Sequence, residues 1–380
     1  MSQARSGRIM YVCLSAFIGL LFGGTGLSAG RQVSPETLLL KDFRPESVYR
    51  IPETAVQKAK YPVIDMHAHV YAKTPEQIAE WIRVMDRTGV EKAVVLTGAT
   101  GKRFDDLHAL YAEYPDRFEV WCGFDYTGYD KPGFGPAAVM ELERCFKVGA
   151  RGVGELGDKG KGLFYCKPPA WGMHPDDPRM DPLWEKCAEL KMPVNIHVAD
   201  PYWMYLPMDA HNDGLMNAYQ WRLDNQPGIV GLEGMVDILE RTASRHPKTT
   251  FVACHFANCC YNLSRLGELF DKCPNLYADI SARYAETAAS PRFAGQFYEK
   301  YQDRLVYGTD MGVGMDTYRL TFRVLESADE HFYAWSHSSY HWPLYGLALN
   351  DQVLQKVYRG NALKVLQPRT PAPPSAEPKP

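Results

Sequence analysis

The chain has no block of lysines or arginines and no basic stripe, and its 42 Lys and Arg against 45 Asp and Glu leave a formal charge of −3. A nucleic acid or an anionic membrane surface has no electrostatic footprint here, so neither is expected as a partner. A glycine-rich phosphate fingerprint is also missing, which argues against an open dinucleotide-binding sheet. The nine cysteines of the 380 residues include no C-x-x-C pair. Cys254, Cys259 and Cys260 therefore read as small buried hydrophobes rather than a thiolate metal site. A chain of this length needs no disulfide framework, although the eight cysteines beyond Cys13 permit pairs in an oxidising compartment. What is present is ordinary globular material, 46% apolar and 23% charged, with enough of the former for a large core.

One apolar run stands apart. Residues 1–30 carry Arg5 and Arg8, then "YVCLSAFIGLLFGG", then the small residues of "TGLSAG", the three regions of an export signal. Cleavage and a periplasmic or extracellular location are expected, with an uncleaved anchor over residues 9–29 as the alternative. Arg5 and Arg8 are not adjacent, so the twin-arginine pattern is unmet, and Val12 before Cys13 argues against a lipoprotein site. Residues 31–61 form a polar lead-in, 62–366 the folded domain with a helical end piece, and 367–380 ("QPRTPAPPSAEPKP") a Pro-rich tail expected to be disordered.

Within the domain, strand-like runs alternate with amphipathic helical ones. The strands start at Pro62, Lys92, Phe118, Arg151, Pro193, Thr250, Asn275 and Arg304. Helical stretches such as "TPEQIAEWIRVMDRTG", with Thr74 as cap, Pro75 in the first turn and Gly89 at the end, separate them. Eight such repeats predict an α/β fold of the closed (β/α)₈ (TIM) barrel type. The connections Gly157–Arg179 and Asp200–Pro227 are long and rich in aromatics, Pro and Gly. On a barrel they sit over the catalytic face, as a lid or pocket wall.

The C-terminal ends of barrel strands converge on one rim, so strand ends are where chemistry is sought. They supply His67 and His69, Glu155, His197, His255 and Asp310. Residues at i and i+2 of a strand point the same way, so His67 and His69 can chelate one ion together. Imidazoles with carboxylates suit Zn²⁺ first, with Mn²⁺ or Fe²⁺ as alternatives.

The motifs "DMHAHV", "NIHVAD", "ACHFA" and "YGTDMG", in this order, resemble the amidohydrolase superfamily and, within it, the amidohydrolase-related (amidohydrolase 2) branch of metal-dependent barrel enzymes. The resemblance spans nearly all of Tyr61–Leu366. It implies that His67, His69, His197 and Asp310 surround the metal and that His255 polarises or protonates the substrate beside it. Glu155 is either a proton-transfer group or, with His255, part of a second metal site; one ion is favoured. The activity implied is hydrolysis of a lactone, ester or amide by a metal-activated water. Asp310 would take the proton and His255 would steady the oxyanion. Nonoxidative decarboxylation at the same site is the alternative, and an inactive binding barrel a third reading that the full set of expected ligands disfavours.

Weaker candidates follow. Arg283 and Tyr284 leave the seventh strand toward the rim and are candidates for binding an anionic group of a small-molecule substrate. Asp200, Trp203, His211 and Asp213 are candidates for the pocket wall. His337 and His341 would chelate only from a helix, which Pro343 opposes. His108, His174, His246 and His331 read as surface residues. Nothing in the sequence opposes a homo-oligomer.

Overall fold

In a computed structural model, which describes residues 34–366, the first helix illustrates how the local signals are used. The Thr74 hydroxyl accepts from the Gln77 N–H at 3.4 Å, and Pro75 takes the first helical position, where it has no hydrogen bond to lose. Gly89 ends the helix at φ 86°, left-handed backbone that glycine adopts without strain. Ile78, Trp81, Val84, Met85 and Thr88 form its buried stripe. Spaced mostly three and four apart, they let the helix pack a single face inward.

The expected export signal, the first residues of the lead-in and the Pro-rich tail lie outside the described residues. Of the described residues, 34–43 belong to a unit of their own, which carries a 3₁₀ turn at Leu40–Asp42. The unit from Arg44 onward carries eight strand–helix pairs. They are β1 (Val63–Ala68) and α1 (Pro75–Thr88), β2 (Val90–Leu96) and α2 (Gly101–Tyr111), β3 (Phe118–Trp121) and α3 (Phe134–Val148), then β4 (Val153–Asp158) and α4 (Asp181–Glu189). The second half continues with β5 (Val194–Val198) and α5 (Leu232–Arg245), β6 (Phe251–Ala253) and α6 (Leu263–Lys272), β7 (Leu276–Asp279) and α7 (Pro291–Lys300), and β8 (Leu305–Val306) and α8 (Met315–Glu326). All eight strands are parallel, in sheets of order β1-β2-β3 and β8-β7-β6-β5-β4. Backbone hydrogen bonds cross both gaps between the sheets. On one side Gly154 N–H donates to Cys122 O at 2.8 Å, and on the other Met66 N–H donates to Tyr307 O at 2.9 Å and Asp310 N–H to His67 O at 3.0 Å.

Two segments depart from the expected pattern where the site is built. The run "TFVACHF" reads as strand through His255, but β6 stops at Ala253. His255, Phe256, Ala257 and Asn258 follow with φ of 59°, 55°, 52° and 57°. Left-handed backbone costs a side-chain-bearing residue about 1–2 kcal/mol, so this turn must be held from outside. Asp279 does so, its Oδ1 accepting from the His255 N–H at 2.9 Å. The long connection after β4 carries structure that its composition did not signal: Gly162–Leu163 and Ala170–Trp171 pair as a small antiparallel ribbon.

The end piece after α8 runs Asp351–Gln355, a π turn at Lys356–Gly360, then Asn361–Leu366. Its Ala362 and Val365 join Ile64, Met66, Val94, Leu96, Trp121, Val252 and Val306 in one apolar cluster. No helix among the described residues is long and apolar enough to cross a membrane.

Candidate metal centre

The first strand brings a carboxylate, two imidazoles and their anchors. Asp65, fully buried, accepts from His67 N–H (3.1 Å), Thr309 N–H (3.0 Å), Thr309 Oγ1 (2.7 Å) and Tyr318 OH (3.1 Å). It thus ties the end of β1 to the segment after β8. Burial pushes its carboxyl up to about 6.

His67 Nδ1 lies 2.9 Å from Asp279 Oδ2. Its Nε2 is buried and has no hydrogen-bond partner. Burial disfavours the charged ring, but Asp279 and Asp310 outweigh it and push the imidazole up to about 10. His69 Nδ1 lies 3.1 Å from the Leu96 carbonyl. A carbonyl only accepts, so Nδ1 carries the hydrogen and Nε2 the lone pair. That Nε2 is 3.1 Å from Asp310 Oδ1 and 3.5 Å from Glu155 Oε2.

His197 shows the same logic with the nitrogens exchanged. Its Nε2–H donates to Ala199 O at 2.9 Å, leaving Nδ1 an acceptor in the neutral ring, yet Nδ1 is 2.7 Å from Glu155 Oε1. Two acceptors at that distance require a cation beside them, a proton or a metal ion. His255 Nδ1 faces Ser281 O (3.0 Å) and Ser281 Oγ (2.8 Å), so its Nε2 turns toward Asp310 Oδ2 (3.6 Å) and Glu155 Oε1 (3.8 Å). Burial, with Arg283 nearby, pulls His255 down to about 3. Burial opposes charge on Glu155, but the hydrogen bond from His197 and the surrounding imidazoles hold the carboxyl down at about 2.

The orphaned His67 Nε2, the acceptor pair at His197 and Glu155, and the mixed imidazole and carboxylate donors all fit a divalent ion. Three overlapping groups have ligand atoms within 4.8 Å of one another: His67, His69 and Glu155; His67, His255 and Asp310; Glu155, His197 and His255. The fourth such group, His67, Cys254 and Asp279, is fully buried, as is that of Glu155, His197 and His255.

The amidohydrolase family profile matches residues 64–367. The chain belongs to the amidohydrolase family. No curated protein matches it. Among solved structures this amidohydrolase is similar to a protein from Staphylococcus aureus described as an amidohydrolase, at 16% identity, with a TM-score of 0.52 and coverage of 80% of this chain and 99% of that one. A second is the 5-carboxyvanillate decarboxylase of Novosphingobium aromaticivorans, complexed with manganese and 4-hydroxy-3-methoxy-5-nitrobenzoic acid (16% identity, TM-score 0.50, 83% and 99% coverage). A third is the 2,6-dihydroxybenzoate decarboxylase from Rhizobium (16% identity, TM-score 0.49, 80% and 98% coverage). At this identity the likeness is one of fold.

A cavity of about 720 Å³ opens on the cluster, lined by His69, Glu155, His197, His255 and Asp310. Arg283 also lines it, donating to Asn258 Oδ1 at 2.7 and 3.0 Å. Tyr284 is buried, and its hydroxyl is taken by the Gly308 carbonyl at 2.6 Å. Asp200 lies between His197 Nε2 (3.5 Å) and Lys159 Nζ (2.9 Å). Trp203 packs on Tyr340 and Trp342 and donates its indole N–H to Asp213, while His211 and Asp213 are exposed and away from the cavity. His337 reaches the cavity, whereas His341 contacts Arg44, and neither is on a helix.

Three groups near the centre of this amidohydrolase escaped the sequence reading: Asp279, Ser281 and Lys159. One expectation needs correction as well. His246 is not a surface residue but is buried, with Nε2 3.1 Å from Asp181 Oδ1. His174 is half-buried, and its Nδ1 donates to the fully buried Asp158 at 2.5 Å.

Asp158 Oδ1 also accepts from Gly160 and Gly162 N–H at 2.8 and 2.9 Å, so His174 is part of what anchors the ribbon. The hydrogen bond to Asp158 raises the His174 pKa above 6.5. A raised folded-state pKa stabilises fully below the unfolded value and ceases to do so as pH rises through the folded one. Hydrogen exchange in residues 160–173 should therefore accelerate above about pH 6.5 more steeply in the native protein than in His174→Gln. Parallel pH profiles in the two proteins would refute this.

Proposed function

We propose that this amidohydrolase is a metal-dependent enzyme that removes the carboxyl group of a small planar acid without an oxidant, on the C-terminal rim of a closed (β/α)₈ barrel. The observation that carries the reading is Arg283. Its guanidinium is largely buried in the cavity wall, and its nearest carboxylate oxygen, Glu286 Oε1, is 3.8 Å away. The hydrogen bonds it makes, to Asn258 and to Ala282 O at 3.0 Å, are to neutral groups. A buried cation that hydrogen-bonds to no carboxylate and whose ion-pair partner stands off at 3.8 Å is incompletely compensated, and a substrate carboxylate would relieve it with charge-assisted hydrogen bonds. The manganese and the nitrobenzoic acid held by the Novosphingobium decarboxylase lend the reading weight.

The residues that would hold the ion are His67, His69, His197 and Asp310, with Glu155 beside them; Mn²⁺ and Zn²⁺ both suit this donor set. A bound divalent ion would supply positive charge that stabilises the negative charge developing on the substrate. Arg283 would orient the acid. The carboxyl carbon leaves as carbon dioxide, its bonding electron pair stays on the ring carbon, and Asp310, the more open of the two carboxylates with its side chain 25% exposed and held ionised at rest by the neighbouring imidazoles, would take up a proton from solvent and deliver it to that carbon.

Hydrolysis of a lactone, ester or amide is kept as a second reading because of one arrangement. Asp310 lies 3.1 Å from His69 and 3.6 Å from His255, placed to take a proton from an attacking water. In both readings residues 1–30 export the enzyme.

Incubation of metal-loaded protein with hydroxybenzoic acids and, separately, with lactones separates the two readings. Carbon dioxide release from the acids is expected, and alkali uptake with lactones alone would transfer the assignment to hydrolysis. Arg283→Gln should raise KM for the acid by about 10- to 100-fold, measured by initial rates. An unchanged KM would remove Arg283 from the substrate.

A further inference from the structure

Tyr165 is unlike the other tyrosines around the cavity. It lines the wall together with Glu155, His197 and Asp310. Tyr340 gives its hydroxyl to Glu286 Oε1 at 2.9 Å, and Tyr284 gives its own to Gly308 O. The Tyr165 hydroxyl bonds to no described residue, yet it is not sealed in the interior as the partnerless groups of Trp81, Tyr126 and Tyr298 are. It is a phenol donor open to the cavity with nothing to donate to.

The ring's position is fixed from several sides. It lies flat against Gly157 of β4, where a Cβ would come within 2.2–2.5 Å of three ring carbons. Any other residue at 157 would expel it. The ring stands edge-on to His197, with centroids 5.7 Å apart at 88°. The ribbon that carries it is bonded back to β4 through Phe164 N–H and Gly157 O at 2.9 Å, and the Phe164 ring stacks on Trp171. Buried Asp158 ties down the turn between them. A glycine that exists to admit a ring, and a ribbon bonded to the strand beneath, are a costly way to expose an idle hydroxyl.

We infer that Tyr165 is a catalytic residue whose hydroxyl donates a hydrogen bond to a substrate oxygen as negative charge develops there. This rests on the reading that the histidine and carboxylate cluster is the reacting centre. A donor already in place needs no reorganisation during the reaction, which is what makes such groups effective. Were Tyr165 only a wall of the pocket, its ring would suffice.

The test compares native protein, Tyr165→Phe, Gly157→Ala and His67→Ala, each incubated with the same Mn²⁺ concentration, using calorimetric titration with salicylate as a planar carboxylate probe. Tyr165→Phe keeps the ring and should retain native metal content and melting temperature while binding salicylate about tenfold more weakly. Gly157→Ala, which displaces the ring and leaves the hydroxyl in the chain, should show a similar loss. With the acid whose turnover is detected, kcat of Tyr165→Phe should fall by about 100-fold and KM should change far less. Native-like binding and kcat in Tyr165→Phe, with binding lost in His67→Ala, would overturn the role of Tyr165 alone. Equal binding by native protein and His67→Ala would overturn the reacting-centre reading, and absence of binding to native protein would overturn both.

Discussion

His67→Ala should emerge from purification without its metal and with activity reduced by about 1000-fold or more, while the fold persists. The expectation follows from how His67 is held. Its Nε2 is buried and has no hydrogen-bond partner, the nearest carboxylate oxygen being Asp310 Oδ1 at 3.8 Å, and it belongs to more of the ligand-distance groups than any other side chain. An ion would remove the cost of that unpartnered nitrogen, and alanine removes the nitrogen itself. Loss of one ligand from a small donor set cannot be made good by His255 or Glu155, because those are already turned toward Asp310 and His197 respectively. Activity falls with the ion because the positive charge that stabilises the developing anion goes with it. Elemental analysis and circular dichroism on the same sample check this. A variant that still carries about one ion per chain would sink the assignment. If native protein carries two, Glu155 becomes the natural bridge between them.

Asp279→Ala should be the most damaging substitution to stability near the site. The carboxylate is fully buried and accepts from His67 Nδ1 (2.9 Å), Asn195 Nδ2 (3.1 Å), His255 N–H (2.9 Å), Ser281 N–H (3.1 Å) and Ser281 Oγ (2.5 Å). Removing it strands all of these donors where water cannot reach them. A loss of about 3–5 kcal/mol is expected, read as a shift of the denaturant midpoint at constant slope. The same carboxylate orients the His67 ring and holds the left-handed turn at His255, so metal affinity should also fall, by about 10- to 100-fold. Asp279→Asn, which keeps the shape but not the charge, should lose less stability. If Asp279→Ala unfolds at the native midpoint, the network is not what holds the turn.

The strand order and the positions of the clustered groups were legible because both rest on local patterns. Alternation of apolar runs with helical periodicity marks the βα units, and parallel strands put successive C-terminal ends on one side. His67, His69, Glu155, His197, His255 and Asp310 could be gathered from those two rules without knowing a single distance. Asp279 and Ser281 obey the same i, i+2 spacing as His67 and His69, but a strand ending in Asp and Ser is also how an ordinary turn begins, so nothing local set them apart. His255 was read at the end of a strand because its neighbours are strand formers. The turn that carries it depends on an acceptor 24 residues away, which no window of sequence contains. Tyr165 was invisible for a related reason: the residue that makes room for it, Gly157, looked like one more glycine in a Gly-rich segment. His246 was misjudged because its partner, Asp181, lies 65 residues earlier in the chain.

The dispersion of the cluster along the chain bears on how the enzyme matures. Asp65 and Thr309, which tie the first strand to the last, are 244 residues apart, and the imidazoles and carboxylates between them come from strands that meet only when the whole sheet has assembled. A chain whose first or last strand has not yet docked offers an ion only part of the set, such as the His67 and His69 pair or the group of Glu155, His197 and His255. Occupancy of the full set therefore requires completed folding, and if residues 1–30 export the chain unfolded, as proposed, the ion would be acquired on the far side. Which metal it carries would then depend on the metals present where folding finishes as well as on the intrinsic preference of the ligands.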